Sequence, residues 1–189
     1  MASPTVIYDA CVLYPSALRD FLIQLAMTDL FKARWTNLIH DEWIRNLLKN
    51  RPDLTSDRLQ KTRRLMNSTV RDCLVEGYEN LIEFVKLPDK NDRHVLAAAI
   101  HSDADIIVTF NLKDFPIKIL SEYKIRAIHP DDFVCALFDI DSAVIYKAAQ
   151  QHRDRLKNPK KSVEEYLLTL SAQGLVKTVQ HLNANVGLI

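Results

Sequence analysis

Near its start the chain reads Thr5-Val6-Ile7-Tyr8-Asp9, in which four β-prone residues are followed at once by a carboxylate. Branched and aromatic side chains favour an extended strand. In an open parallel sheet, ligands bind beyond the carboxyl ends of the strands, near the point where the strand order reverses. An acid that directly ends an apolar first strand is therefore placed for chemistry.

Helical and strand-like patterns alternate after this stretch. Apolar spacing predicts helices over residues 16–31, 37–49, 54–74 and 91–101, and a further helix that begins at Pro130. Short apolar runs predict strands over residues 33–36, 81–85, 106–109 and 126–128. The alternation predicts an α/β fold of right-handed βαβ units, with helices on both faces of a parallel sheet.

The strand patterns cease after about Asp141. Ser162-Val163-Glu164-Glu165 has the spacing of a capping box, and Gly174 interrupts the helix that follows. Residues 158–161 have the composition of a linker. We therefore expect an α/β domain over residues 1–140 and a helical C-terminal extension over residues 141–189.

Composition excludes several classes of protein. The 189 residues include only three glycines, which rules out glycine-rich phosphate loops, and three cysteines too far apart for a CxxC pair. No serine lies in a nucleophile elbow, which disfavours acyl transfer. No apolar run approaches the roughly 18 residues needed to span a membrane, and Met1 to Pro4 do not resemble a signal peptide. These features predict a cytoplasmic protein that makes no use of a membrane.

The net charge is +1, but positive charge is concentrated in one segment. Residues 45–71 contain eight basic and two acidic residues, a local charge of +6. Such a segment can steer a polyanion, although a solvated helix face would have the same composition.

Further polar residues lie near predicted strand ends or helix starts. Asn111 and Asp114 follow the strand 106–109, Asp92 lies in the first turn of the helix before it, and Glu42 lies one turn inside the second helix. Taken singly, each acid has an ordinary structural interpretation: Asp92 at a helix N-terminus, Asp114 in a turn, and Glu42 on an exposed helix face.

Together with Asp9, these acids suggest a metal site. Mg²⁺ and Mn²⁺ prefer carboxylate oxygen and water as ligands. Several carboxylates that converge without a cation would repel one another, so a cluster of this kind makes physical sense when a metal is bound. The six histidines show no HxH or HxxxH pattern that would indicate a different metal site.

The helix that carries Glu42 also has a polar stripe. Glu42, Arg45, Asn46 and Lys49 follow at i, i+3, i+4 and i+7, opposite an apolar face. The spacing places an acid beside groups that can hold a phosphate. We therefore predict that Arg45, Asn46 and Lys49 hold a phosphate group.

At these residues the chain resembles the PIN-domain ribonucleases, and within them the VapC-like toxins of bacterial toxin–antitoxin pairs. The resemblance covers roughly residues 5–138, and the helical tail is similar to that of a VapC branch with a C-terminal extension. The order and spacing of four stretches are similar to the family pattern: Val6 to Pro15, His40 to Ile44, Asp92 to Ala99, and Val108 to Phe115.

Carried over by position, the resemblance assigns three acidic metal ligands: Asp9, Glu42 and Asp92. Thr109 matches the family's hydroxyl beside the metal. At the fourth acidic position many members have Asp, where this chain has Asn111. Either Asn111 supplies a neutral oxygen or a water contact, or Asp114 acts as the fourth catalytic acid.

The resemblance implies a PIN-like α/β/α sandwich and hydrolysis of RNA phosphodiester bonds with Mg²⁺ or Mn²⁺. It also implies a homodimer and a VapB-like antitoxin. Asn111 leaves open a non-catalytic RNA-binding or assembly module on the same scaffold. A phospho-acceptor receiver domain fits less well, because Ala10 and Cys11 follow Asp9 where such a domain has an adjacent acidic pair.

Overall fold

The computed structural model describes residues 3–189. Met1 and Ala2, on which the signal-peptide expectation partly rests, lie outside the described residues. Over the described range, no helix combines the length and the apolar character that a membrane span needs.

The centre of the fold is a parallel sheet in the order β2-β1-β3-β4. Its strands are β1 (Thr5–Tyr8), β2 (Lys32–Arg34), β3 (Ile106–Val108) and β4 (Arg126–Ile128). The chain leaves β1 toward β2 on one side and later adds β3 on the other side, so the strand order reverses at β1. The crevice between the carboxyl ends of β1 and β3 is the expected place for a ligand.

Helices surround the sheet and extend beyond it. They are α1 (Ala10–Leu13), α2 (Ser16–Ala26), α3 (Asn37–Asn50), α4 (Ser56–Thr69), α5 (Arg93–His101), α6 (Ile117–Leu120), α7 (Pro130–Arg155), α8 (Val163–Ala172) and α9 (Val176–Ala184). The predicted α/β class with a parallel sheet and C-terminal helices is confirmed.

One predicted strand is wrong. Residues 81–85 form no strand, because the backbone N–H groups of Phe84 and Val85 donate to the carbonyl of Leu81 and so close a turn. Val85 is buried, but Phe84 is 78% exposed. The segment is therefore a loop that contacts the core through Val85 and not through the whole apolar run. Two helices are also shorter than predicted, since α2 ends at Ala26 and α4 at Thr69.

A buried polar network fixes α3 against α4. Asn67 Oδ1 accepts a hydrogen bond from Trp35 Nε1 at 2.8 Å and lies 2.9 Å from His40 Nε2. Trp43 Nε1 donates to His40 Nδ1 at 3.1 Å, which leaves Nε2 as the protonated nitrogen that donates to Asn67. Burial lowers the pKa of His40 to about 4, so the ring is neutral at physiological pH.

The C-terminal helices share the core of the α/β part. Helix α7 is interrupted at Asp141, where the backbone leaves the helical region (φ −157°, ψ 92°). Tyr166 and Leu182 are nonetheless fully buried in the same apolar cluster as the sheet. The division at residue 140 stays a prediction, although the interruption of α7 falls beside it.

A buried carboxylate joins α7 to α9. Asp131 accepts hydrogen bonds from the backbone N–H groups of Lys177 and Thr178 and from the Thr178 hydroxyl, each at 2.8 Å. It therefore caps the first turn of α9 from another helix.

Replacing Asp131 should weaken the contact between α7 and α9. Asp131→Ala leaves three donors without their acceptor, and we expect a loss of about 2–4 kcal/mol in the free energy of unfolding, measured by urea titration. Asp132→Ala is the control, because Asp132 forms only an exposed ion pair with Lys177, which adds little to stability. Equal losses in the two variants would contradict this role for Asp131.

Candidate active site

Asp9 follows β1 directly and is only 2% exposed. Its backbone N–H donates to the Val108 carbonyl at 3.1 Å, which continues the pairing of β1 with β3. Its carboxylate accepts from the Thr109 hydroxyl at 2.7 Å and from the Ala10 backbone N–H at 2.6 Å. Burial raises the pKa of Asp9, whereas the hydrogen bond from Thr109 opposes that rise.

Cys11 is a member of this cluster that sequence reasoning missed. Its thiol donates to Asp9 Oδ2 at 3.1 Å and lies 3.4 Å from the Thr109 hydroxyl. Its sulfur accepts from the Phe110 backbone N–H at 3.3 Å. Burial and the charge of Asp9 raise the pKa of the thiol, so Cys11 stays protonated and acts as a donor. The only signal in the sequence was its place two residues after Asp9.

The Thr109 hydroxyl orders the loop after β3. It accepts from the backbone N–H of Asn111 at 2.9 Å while it donates to Asp9. One hydroxyl thus joins the end of β1 to the segment that carries Asn111 and Asp114. This contact fixes Asp9 and Thr109, which are about a hundred positions apart in the chain, at the same edge of the sheet.

Glu42 enters from α3, where Thr36 caps the first turn by accepting from the Ile39 backbone N–H at 3.0 Å. Glu42 Oε2 lies 3.2 Å from His94 Nε2 on α5, so an acid and an imidazole bridge the two helices. His94 thus faces the acids.

A groove of about 480 Å³ lies between α3 and the start of α5. Glu42 and Asp92 lie on its wall together with two polar residues from the loops, Asp89 and Asn111. The remaining lining residues are Leu38, Asp41, Arg45, Asn91 and His94.

The charges around Asp92 show how closely the acids approach. Burial is the largest cause that raises the pKa of Asp92 to about 7. The negative charges of Asp9, Asp89, Asp114 and Glu42 add to the rise. Four of these five carboxylates were singled out from the sequence, and Asp9, Glu42 and Asp114 lie within electrostatic reach of Asp92.

Asp89 is the fifth carboxylate, and the sequence analysis missed it. It lies three residues before Asp92, and its side chain accepts from the Asn91 backbone N–H at 2.8 Å. That bond caps the short turn that leads into α5. A carboxylate at this spacing before Asp92 was the available signal.

The residues predicted to hold phosphate groups of RNA lie along α3. Arg45 lines the groove beside Glu42. Asn46 is half-buried and Lys49 is exposed, and neither lines the groove. The polar stripe therefore reaches the groove at its Arg45 end.

The groove offers carboxylate and amide oxygens, which are the donors that Mg²⁺ and Mn²⁺ prefer. Within residues 3–189, however, no three His, Cys, Asp or Glu side chains lie close enough to hold a metal ion as they stand. The oxygens of Asp9 are taken up by Thr109, Cys11 and Ala10, and uncompensated carboxylates repel one another. The oxygen atoms of the groove are of the kind that binds such an ion. To bind it together, the acidic side chains would have to move closer to one another.

Two family models match this chain. The PIN-domain model matches residues 5–113, and the model of the VapC50 C-terminal domain matches residues 130–184. A protein of Mycobacterium tuberculosis (strain H37Rv), named as a candidate ribonuclease, VapC50, is 50% identical over 64 residues. That match covers 34% of this chain and 37% of the length of the relative.

The burial of Asp92 and the like charges around it should make the metal-free protein less stable as the pH rises. Because the folded protein holds this proton up to about pH 7 while the unfolded chain releases it near pH 3.8, stability should fall between these values. In EDTA, Asp92→Asn should flatten this fall and raise the Tm at pH 8 by a few degrees, since about 1 kcal/mol corresponds to roughly 2–4 °C in a chain of this size.

The measurement is thermal unfolding from pH 5 to pH 8. Asp139→Asn is the matched control, because Asp139 is an exposed carboxylate on α7 outside the groove. Parallel curves for wild type and Asp92→Asn would show that Asp92 does not titrate with a raised pKa in the folded protein.

Proposed function

Because this chain belongs to the PIN-domain family, we propose that it is a metal-dependent endoribonuclease of the VapC type, which hydrolyses phosphodiester bonds in RNA. The observation that supports this best is the gathering of Asp9, Glu42, Asp92 and Asp114 at the reversal point of a parallel sheet. The hydrogen bonds to Asp9 and the contact between Glu42 and His94 leave the like charges around Asp92 uncompensated, whereas a divalent cation would compensate them.

Asp9, Glu42 and Asp92 would hold Mg²⁺ or Mn²⁺. When bound, such an ion lowers the pKa of water and stabilises the leaving oxygen of a phosphodiester. Thr109 and Cys11 hold the Asp9 carboxylate in place and favour its ionised form by donating hydrogen bonds to it. His94 orients Glu42 from α5.

The RNA strand would enter the groove beside Arg45, and Lys49 further along α3 would meet the phosphates outside it. Single-stranded or looped RNA is the expected substrate, because its backbone can be splayed into a narrow groove. A homodimer and a VapB-like antitoxin belong to the same proposal and follow from the family resemblance.

The first test is cleavage of single-stranded RNA. Purified protein should cut it with Mg²⁺ or Mn²⁺ and stop in EDTA. Asp9→Asn should lower the rate about 100-fold or more, since even residues behind metal ligands typically contribute 10- to 100-fold. Asp139→Asn serves as the control, and far-UV circular dichroism checks that both variants fold. Equal rates for wild type and Asp9→Asn would reject the assignment.

A second candidate function, RNA binding without cleavage, is favoured by Asn111. This residue lines the groove where the family resemblance leads us to expect a carboxylate, while Asp114 contributes charge without lining the groove. It predicts metal-independent binding and intact RNA under all conditions of the first test.

The pair Asn111→Asp and Asp114→Asn shows which residue serves as the fourth polar ligand. If Asn111 holds that position, Asn111→Asp should lower the Mg²⁺ concentration for half-maximal cleavage several-fold, because a carboxylate binds the ion more strongly than an amide. Asp114→Asn should then change the rate by less than about 3-fold. A larger loss from Asp114→Asn, with no gain from Asn111→Asp, would give the fourth position to Asp114.

A further inference from the structure

A second cleft, of about 660 Å³, lies on the other side of α3 from the acidic groove. Arg45 on α3 lines the groove, whereas Leu47 on the same helix lines the cleft. These two residues are about 200° apart around the helix at ~100° per residue, so α3 is a wall shared by two sites. The other walls are the start of α2, the loop between α3 and α4, residues 58–65 of α4, and Gln173 of the C-terminal extension.

The charged residues that line this cleft are all basic: Arg19, Arg51, Arg58 and Lys61. Arg51 forms an exposed ion pair with Asp53 at 2.7 Å. Within residues 3–189, the side chains of Arg58 and Lys61 form no hydrogen bond or ion pair, and both are exposed. Two positive charges on one face of α4 are therefore available to an anion.

Arg19 is the buried member of this set and is only 6% exposed. Its Nη1 donates to the Leu13 carbonyl at 2.9 Å, and its guanidinium lies 4.9 Å from the ring centre of Trp43. Its Nε is buried and has no hydrogen-bond partner among the described residues; the nearest carboxylate oxygen, on Asp20, is 3.7 Å away. A buried guanidinium that is only partly paired favours an anion nearby.

The start of α2 adds a further positive end. Pro15, Ser16 and Ala17 line the cleft, and no side chain caps the first turn of this 11-residue helix. The free backbone N–H groups and the helix dipole favour a phosphate at such a terminus.

We propose that this cleft binds phosphate groups of the RNA strand, apart from the acidic groove. The inference rests on the proposed function. The apolar wall, which includes Tyr14 and Leu54, suits a base, and the basic wall suits the phosphate attached to it. A strand that passes over α3 would be held by acids and metal on one face and by arginines and lysine on the other.

The cleft also gives the C-terminal extension a role in binding. Gln173 lies at the C-terminal end of α8 and lines the cleft together with residues from α2, α3 and α4. The extension therefore contributes an amide to the wall of this site.

Equilibrium binding in EDTA tests the cleft without any cleavage. The probe is a short fluorescein-labelled polyuridylate, and the readout is fluorescence anisotropy against salt concentration. Arg58→Ala with Lys61→Ala should weaken binding about 10-fold. It should also reduce the slope of log K against log salt by about 1.4, since each phosphate of a single strand contributes about 0.7.

Lys147→Ala with Arg155→Ala is the matched control, because it removes one lysine and one arginine from exposed positions on α7. This control should leave the affinity and the slope unchanged. Identical affinities and slopes for wild type and for the Arg58/Lys61 variant would overturn the proposal.

A fluorescein-labelled polyglutamate peptide distinguishes a polypeptide ligand from RNA. If the Arg58/Lys61 variant loses affinity for polyglutamate but not for polyuridylate, the cleft binds an acidic polypeptide and the RNA assignment is wrong. If wild type cleaves RNA, the variant should raise KM several-fold at unchanged kcat. If wild type binds polyuridylate through the cleft but never cleaves RNA, the nuclease proposal fails and the cleft proposal stands.

Discussion

A carboxylate that is 2% exposed has to be held by hydrogen bonds, and Asp9 receives them from three donors. The donor with the widest consequence is the Thr109 hydroxyl, because it also accepts from the Asn111 backbone and so fixes the loop after β3. The central strands β1 and β3 are thereby joined at their carboxyl ends by side chains as well as by backbone. The candidate site exists because this junction lies where the strand order reverses.

Helix α3 and the C-terminal extension form the surroundings of this junction. Helix α3 carries Glu42 toward the acids and Leu47 toward the basic cleft, so it separates two surfaces of opposite charge. The C-terminal extension packs on the same core, and Gly174 shows how close it comes to the site. At φ +83° it adopts a backbone conformation that favours glycine, and a Cβ there would lie 3.6 Å from the ring of Phe110. Phe110 directly follows Thr109, so the extension forms part of the surroundings of the site.

Local sequence patterns located the four strands of the sheet and singled out acids near their ends, for physical reasons that differ from residue to residue. Strand β3 is fully buried, so its residues read as a continuous apolar run. Asp9 was identifiable because an acid ends such a run at once. The segment 81–85 has the same apolar content, yet it forms a turn, because whether an apolar run pairs or loops depends on whether a sheet edge is available to it.

Other parts of the site could not be predicted from local patterns. The thiol of Cys11 donates to the nearby Asp9, but its contacts with Thr109 and Phe110 exist because the fold brings these residues to it from about a hundred positions away. The basic cleft combines residues from α2, α3, α4 and the C-terminal extension, so no single window of sequence contains it. The basic composition of residues 45–71 indicated an affinity for polyanions, but it did not indicate a cavity or the buried Arg19.

The neutral imidazole of His40 has a consequence for how the chemistry can be studied. Since its pKa is about 4, the network that it forms with Trp35, Trp43 and Asn67 keeps one protonation state over the range in which nucleases are normally assayed. The frame that carries Glu42 then does not titrate during such an assay. His40 and its partners therefore add no titration of their own to a profile of rate against pH near neutrality.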